Sequence, residues 1–361
     1  MALDHYVTLG RSGLRVSPLC LGAMTFGEDL GWGSSVEESQ QIMDRYIAAG
    51  GNFIDTANFY TKSHSEKIIG DHIGRHRAKR DRLVIATKFS NNLYPDDPNG
   101  DGSDRKSVIS AYKKSLRHLQ TDYIDLYWLH NWDAHTPIDE TMATLEDLVR
   151  AGKVRYIGVS DTPAWKVVEA NMLARFRGWS QFIGLQIEYS LLERTVEQEL
   201  VPMAREHGLG ITPWSPLKSG VLSGKHTRAS AGQGKADRAA FMESFLNETT
   251  YKLIDELEVV AKAHDSTVAR VALAWVRARP GVTSTIIGAR RLSQLEDNLR
   301  SLDVTLTAEQ VEHLDALTTP KFGFPQSMQP MFPAIHNGGT MVNGVQMPPS
   351  PFVLGKGDKP Y

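Results

Sequence analysis

The 361-residue chain has a single cysteine, Cys20, so no intramolecular disulfide can form. Its place in the apolar run VSPLCLG reads as a small packing residue. A reducing, cytoplasmic setting fits that usage. There is no surplus of charge of either sign: 40 Lys and Arg stand against 42 Asp and Glu, for a net charge of −2. That balance removes the electrostatic case for nucleic acid or an anionic membrane as partner. No stretch reaches the ~18 consecutive apolar residues a membrane-spanning helix needs, and the opening MALDHYVTLGRSG carries an early Asp where an exported chain would have an apolar signal core. A small-molecule partner is the expectation that remains.

Several catalytic signatures are also missing. No G-x-S-x-G elbow occurs, and no cysteine lies near a plausible base. GVLSGKH (220–226) is one position short of a phosphate-binding Walker loop and has His where Ser or Thr would hold magnesium. His72 and His76 are four apart, but no Glu follows His72 and no third ligand is evident, so they read as surface histidines and no metal is expected. The G-x-G-x-x-G fingerprint of an open dinucleotide-binding sheet is absent after the first strand.

What is present is alternation. Eight short apolar runs read as strands: 15–27, 52–57, 83–89, 123–130, 154–160, 182–190, 210–217 and 283–289. Amphipathic stretches such as VEESQQIMDRYIAAG and TPIDETMATLEDLVRAG lie between them. Strands apolar throughout suit a parallel sheet covered on both faces, and eight βα units predict a closed (β/α)₈ TIM barrel over residues 1–319. YVTLGRSGLRVS (6–17) predicts a β-hairpin at the bottom of that barrel. From residue 320 to 361 the style changes. This Pro/Gly-rich C-terminal extension holds 8 of the 17 prolines and four methionines. It excludes a long helix, and its apolar content predicts packing on the body rather than a solvated linker.

In a barrel of this kind, polar residues at the C-terminal ends of strands point into the active-site mouth. Asp55, Lys88 and His130 each close an apolar run, and Tyr60 follows Asp55 by five residues. Any one of them alone reads as a cap, a snorkelling Lys or a packed ring. On three successive strands they form a chemical set. A phenol is a poor acid at neutral pH, but a nearby ammonium stabilises the phenolate and lowers its pKa. Asp55 would hold Lys88 charged, and His130 would hydrogen-bond a carbonyl oxygen and fix its angle.

The ordered motifs NFIDTANFY, SEKIIG, ATKF, DLYWLH, GVS, IEYSLLER, PWSPLKSGVLSGK and IIGARRLSQLEDNL closely resemble those of the aldo-keto reductase superfamily, from about residue 6 to 318. Within it the chain looks like the longer-chain group that includes potassium-channel β subunits and bacterial reductases. The resemblance implies a barrel that binds NADPH without a Rossmann domain and reduces an aldehyde or ketone. It also implies Tyr60 as general acid, supported by Asp55, Lys88 and His130. Carried over by motif, Ser160 and Gln186 meet the nicotinamide carboxamide, and Trp214 stacks on the ring. Ser215, Pro216, Leu217, Gly220 and Lys225 line the pyrophosphate, while Met24, Asp55, Asp161 and Gly288 complete the cofactor set.

The long Gly/Ser-containing stretch after the seventh strand suits a loop closing on a phosphate-bearing ligand, and Arg238 is expected to join it. Arg290 and Arg291 open a helix, where cations oppose the dipole unless an anion sits there too. A 2′-phosphate would be that anion. This favours NADPH over NADH, with Arg290 and Gln294 at the phosphate and Asn298 at the adenine.

Met24, Phe26, Trp32, Tyr94 and Trp132 lie on loops expected to wall a pocket for a bulky carbonyl. The chain departs from the family pattern at Asp161, where Asn is usual, and in the long tail, which would lie over the mouth or at a subunit contact. Whether the chain forms a homo-oligomer is left open. Two rival functions stand beside reduction. One is an NADP(H)-sensing subunit with little turnover. The other is Schiff-base chemistry at Lys88, which a paired Asp55 disfavours by keeping the amine protonated.

Overall fold

The computed structural model describes residues 1–228, 244–352, 354, 357 and 359. The chain forms two units, Met1–Thr318 and Thr319–Tyr361. In the first, a hairpin of β1 (Val7–Thr8) and β2 (Arg15–Val16) precedes eight parallel strands: β3 (Leu19–Gly22), β4 (Phe53–Asp55), β5 (Val84–Phe89), β6 (Ile124–Leu129), β7 (Val154–Ser160), β8 (Phe182–Glu188), β9 (Gly210–Trp214) and β10 (Thr285–Gly288). Their order in the sheet is β10-β3-β4-β5-β6-β7-β8-β9. The seam between β9 and the approach to β10 is closed by Ile211 N donating to Gly281 O (3.0 Å) and Thr283 N donating to Ile211 O (2.8 Å). The result is the (β/α)₈ barrel that the alternation predicts.

Helices α1 (Val36–Ala48), α2 (His64–Ile69), α3 (Arg77–Arg80), α4 (Arg105–Leu119), α5 (Ile138–Arg150), α6 (Ala164–Arg177), α7 (Leu200–His207), α8 (Glu248–Ala263), α9 (Val268–Arg277), α10 (Leu292–Leu299) and α11 (Ala308–Thr318) surround it. Several begin on side-chain caps that satisfy an otherwise orphaned amide. Ser35 accepts from Glu38 N, Asp104 from Ser107 N, and Thr267 from Arg270 N.

The barrel interior is packed rather than open. Leu9, Val16, Cys20, Phe53, Val84, Ala86, Leu126, Trp128 and Ile286 form one buried cluster inside it. Trp128 takes much of that space because Gly158 and Gly184 face it. A Cβ at Gly158 would stand 2.3 Å from the indole, and one at Gly184 would stand 2.9 Å away. The hairpin plugs the bottom. Gly10, at φ +57, lies so close to β8 that a Cβ there would be 2.2 Å from Ile183 O. Cys20 is wholly buried in this cluster, and burial pushes its thiol well above the usual range, which makes it inert.

The second unit contains a short helix α12 (Phe332–Asn337) and a hairpin of β11 (Met341–Val342) and β12 (Val345–Gln346). No helix among the described residues is long and apolar enough to cross a membrane.

Candidate active site

The strand register sets the site. Asp55 closes β4 opposite Ala86, Lys88 on β5 pairs with Trp128 on β6, and Ser160 closing β7 pairs with Gln186 on β8. The ends of five adjacent strands, β4 to β8, therefore converge at the top of the barrel. Lys88 has no exposed surface and Asp55 retains only 2 %. The Lys88 ammonium satisfies its three donors within the protein: one to Asp55 Oδ2, one to Thr56 O at 2.9 Å and one to the Tyr60 hydroxyl at 3.0 Å. Gln186 Nε2 donates to the other Asp55 oxygen at 3.1 Å. A buried cation matched to a buried anion in this way survives desolvation.

The loop carrying Tyr60 is strained and pinned. Thr61, Lys62 and Ser63 have φ of 46°, 55° and 72°, values that side-chain-bearing residues rarely adopt. Thr61 Oγ1 donates to Phe26 O at 2.7 Å and Ser65 Oγ donates to Ala23 O at 2.7 Å, tying this loop to the segment after β3. Tyr60 is thus held by contacts outside its own loop. Its ring lies 5.9 Å from that of His130, edge-on, with Phe59 5.2 Å from both rings.

The electrostatics differ in one respect from the sequence-based expectation. Burial pushes the Tyr60 phenol above its ordinary value, Lys88 pulls it back, and Asp55 pushes it up again. Without a ligand, desolvation outweighs the ammonium, so the expected net lowering does not occur. The phenol therefore stays protonated across neutral pH. Lys88 is raised above its ordinary value although burial opposes this, because Asp55 and Tyr60 both favour the charged form. A permanently protonated Lys88 is no Schiff-base nucleophile. Burial, with Lys88 adding repulsion, lowers His130 to about 2, so it is a neutral imidazole.

This shift has a consequence for stability. The folded pKa of His130 lies below its unfolded value near 6.5, so below that pH the unfolded chain binds a proton that the native state refuses. Stability contributed at neutral pH is lost as pH falls from about 6.5. His130→Gln, with no such proton to bind, is expected to lose less Tm between pH 7 and pH 4.5 than the wild type. Equal losses in matched thermal melts would refute this.

The remaining expected residues divide into groups. Ser160 Oγ is buried and has no hydrogen-bond partner among the described residues, which leaves it able to meet a polar ligand atom. Trp214 is half-buried, and its indole Nε1 donates to Asp161 Oδ1 at 3.1 Å. Asp161 thus fixes the indole, while burial raises its pKa against that hydrogen bond. Ser215 Oγ accepts from Ser219 N at 2.9 Å, and Gly220 N donates to Leu217 O at 3.0 Å, folding the segment after β9 into tight turns over the buried Pro216. Lys218, on that turn, reaches Glu188 Oε1 at 2.8 Å. The sequence reading missed this tie, and a lone Lys in a Gly/Ser segment gives no signal for it.

A cavity of ≈ 350 Å³ is lined by Lys225, Arg290, Arg291 and Gln294 together with Glu28 and Glu38. Gln294 Oε1 accepts from Arg290 N at 2.9 Å at the start of α10. Asn298 is buried and donates to Gly288 O at 3.0 Å. Arg238 lies outside the described residues.

Of the expected pocket residues, Met24 and Tyr94 are exposed, and Trp32 and Trp132 are half-buried. Tyr94 lies beneath Lys114 of α4, with Nζ 4.0 Å from its ring, and Trp132 meets Trp165 edge-on at 5.5 Å. Phe26 corrects the expectation. It is fully buried in a core cluster with Ile42, Met43 and Tyr46 of α1, its carbonyl accepts from Thr61 of the Tyr60 loop, and it leaves no surface for a ligand.

The model of the Aldo/keto reductase family matches residues 18–319. The chain belongs to the aldo/keto reductase family. It is 39 % identical to the oxidoreductase YrpG of Bacillus subtilis (strain 168), covering 86 % of this chain and 95 % of that one. It is 37 % identical to norsolorinic acid reductase B of Dothistroma septosporum (strain NZE10 / CBS 128990), over 90 % and 84 % of the two chains. It is also 37 % identical to the aldo-keto reductase ausK of Emericella nidulans, over 90 % and 83 %. This family member is accordingly an oxidoreductase of the carbonyl-reducing kind, acting on small molecules.

Proposed function

We propose that this aldo/keto reductase reduces an aldehyde or ketone to the alcohol with NADPH, and that Tyr60 is the proton donor. The observation that carries the reading is the buried Lys88 ammonium held between the Asp55 carboxylate and the Tyr60 hydroxyl. The nicotinamide supplies hydride to the carbonyl carbon when bound. Tyr60 gives its proton to the carbonyl oxygen as charge grows there, and Lys88 stabilises the phenolate left behind. His130, neutral, donates a hydrogen bond to the same oxygen and orients it. Asp55 and Gln186 keep Lys88 in line.

The unpartnered Ser160 Oγ and the Trp214 indole fixed by Asp161 suit a carboxamide-bearing ring. The cavity at the start of α10, with Lys225, Arg290 and Arg291 outnumbering Glu28 and Glu38, suits a 2′-phosphate. Met24, Trp32 and Trp132 remain the proposed walls for the substrate, and a relative named as a norsolorinic acid reductase fits a bulky carbonyl.

The test is NADPH oxidation, followed by absorbance, against a nitrobenzaldehyde and a panel of ketones. Turnover should be stronger with NADPH than with NADH. Saturable NADPH binding without turnover of any carbonyl would overturn the reading and favour a sensing subunit. In the same assay, Arg290→Ala is expected to raise KM for NADPH about 10- to 100-fold, the size of a charge-assisted hydrogen bond, and to leave KM for NADH within about twofold. Equal effects on both cofactors would remove Arg290 from the phosphate site.

A further inference from the structure

We propose that Asn91 is a positioning residue for the reduction: its side-chain amide donates to His130 Nδ1 and thereby keeps the imidazole proton on Nε2, where the carbonyl oxygen needs a donor. The inference rests on the carbonyl-reduction reading for its use in catalysis, but the tautomer itself can be measured without turnover.

The contact is Asn91 Nδ2 to His130 Nδ1 at 3.3 Å. An amide nitrogen has protons to give and no lone pair to offer, so Nδ1 accepts. In a neutral ring one nitrogen then carries the proton, and that nitrogen is Nε2. The ring is neutral because it is largely buried beside the Lys88 ammonium. His130 Nε2 has no hydrogen bond to a described residue and is left for the substrate.

The surroundings fix Asn91 in this role. Asn91 follows β5 by two residues and His130 follows β6 by one, so the contact bridges neighbouring strand ends. A second bridge runs beside it, with Ser90 Oγ donating to Asn131 Oδ1 at 2.7 Å. Ser90 has φ 97°, a backbone conformation that side-chain-bearing residues rarely adopt. On the other side, buried Asn58 donates through Nδ2 to Asn91 O at 3.3 Å and to Asp101 Oδ1 at 3.4 Å, while its own backbone N donates to Lys88 O at 3.2 Å. Asn58 lies two residues before Tyr60. One short network therefore positions the acid and the orienting histidine together, on loops from three successive strands. Motif reading could not find it, because Asn91 carries no ionisable group.

The groups that bear on His130 are Tyr60 from the loop after β4, Lys88 from β5, and Asp101 beyond Asn58 on the loop before α4. Tyr60 keeps its proton and Lys88 its charge through neutral pH. Replacing Asn91 by Asp puts an acceptor where the donor stood. The proton of the neutral ring then moves to Nδ1, and the imidazolium gains a carboxylate partner. Nε2 in this variant carries a proton only while the ring is charged. Activity should therefore rise on acidification.

The experiment has two parts. First, ¹⁵N–¹H correlation NMR of wild type, with His130 assigned by its loss in His130→Gln, should show the Nε2–H tautomer at pH 7.5; the Nδ1–H tautomer would overturn the proposal outright. Second, kcat/KM with a nitrobenzaldehyde at saturating NADPH should carry no imidazole inflection for wild type between pH 5.5 and 8.5. For Asn91→Asp it should lie about 10²-fold below wild type at pH 8.5 and recover only on acidification, and that recovery should vanish in Asn91→Asp/His130→Gln. A wild-type-like profile for Asn91→Asp, or a recovery that survives in the double variant, would refute the assignment. If wild type turns over no carbonyl at all, the reduction reading fails, while the NMR result still decides the tautomer.

Discussion

Tyr60→Phe is expected to lower kcat for carbonyl reduction about 10³-fold and to leave NADPH affinity within about twofold. The size follows from removing the proposed general acid, a change worth roughly 10²- to 10⁴-fold. The selectivity follows from the geometry. The Tyr60 hydroxyl accepts one of the three Lys88 donors, while Asp55 and Thr56 O keep the other two. The Phe ring retains the contacts with Phe59 and His130 at 5.2 and 5.9 Å. The backbone strain at Thr61, Lys62 and Ser63 is held by the Thr61 and Ser65 hydroxyls rather than by the phenol. The pocket should therefore keep its shape and lose its proton. Single-turnover hydride transfer with a deuterated cofactor, beside fluorescence titration of NADPH, separates the two effects. Loss of cofactor binding in step with kcat would assign Tyr60 to structure instead.

The residues that sequence reasoning found are those whose chemistry conflicts with their setting. Asp55, Lys88 and His130 each close an apolar run, and an ionisable group at the end of a buried strand needs a partner. For Asp55 and Lys88 the partner is the other, with Tyr60 beside them, whereas His130 pairs with the Asn91 amide. The strand alternation was legible for a similar reason, since strands apolar throughout require cover on both faces, and eight such units suit a closed barrel.

What the sequence concealed was set by backbone geometry and by neutral polar groups. Phe26 sits on a loop with the other expected pocket residues, but its ring turns into the core and its carbonyl holds Thr61, so it faces no ligand. The contribution of Thr56 is a carbonyl, which every residue has. Asn91 and Asn58 act through amides whose partners are decided by which strand ends lie side by side. The net rise of the Tyr60 pKa was also hidden, because burial depends on packing that no motif encodes.

Breaking the Lys88–Asp55 pair should separate what that pair does for folding from what it does for catalysis. Lys88→Met leaves the Asp55 carboxylate wholly buried with Gln186 as its remaining side-chain donor. Asp55→Asn leaves the ammonium buried with Thr56 O and the Tyr60 hydroxyl. Each single change strands one charge in a site with almost no exposed surface, so each is expected to cost roughly 3–5 kcal/mol of stability. The double variant strands none. Its Asn side chain still accepts from Gln186, and the Met fills much of the Lys88 volume, so its loss should fall well short of the sum, with a coupling of about 2 kcal/mol or more. Activity should behave differently. In the proposed mechanism the phenolate left by Tyr60 has no counter-charge without the ammonium, so the double variant should be as inactive as Lys88→Met. Urea unfolding and hydride-transfer rates on the four proteins test this directly. Additive stability losses would mean the two charges are not coupled in the fold, and recovery of turnover in the double variant would mean that Lys88 serves packing rather than chemistry.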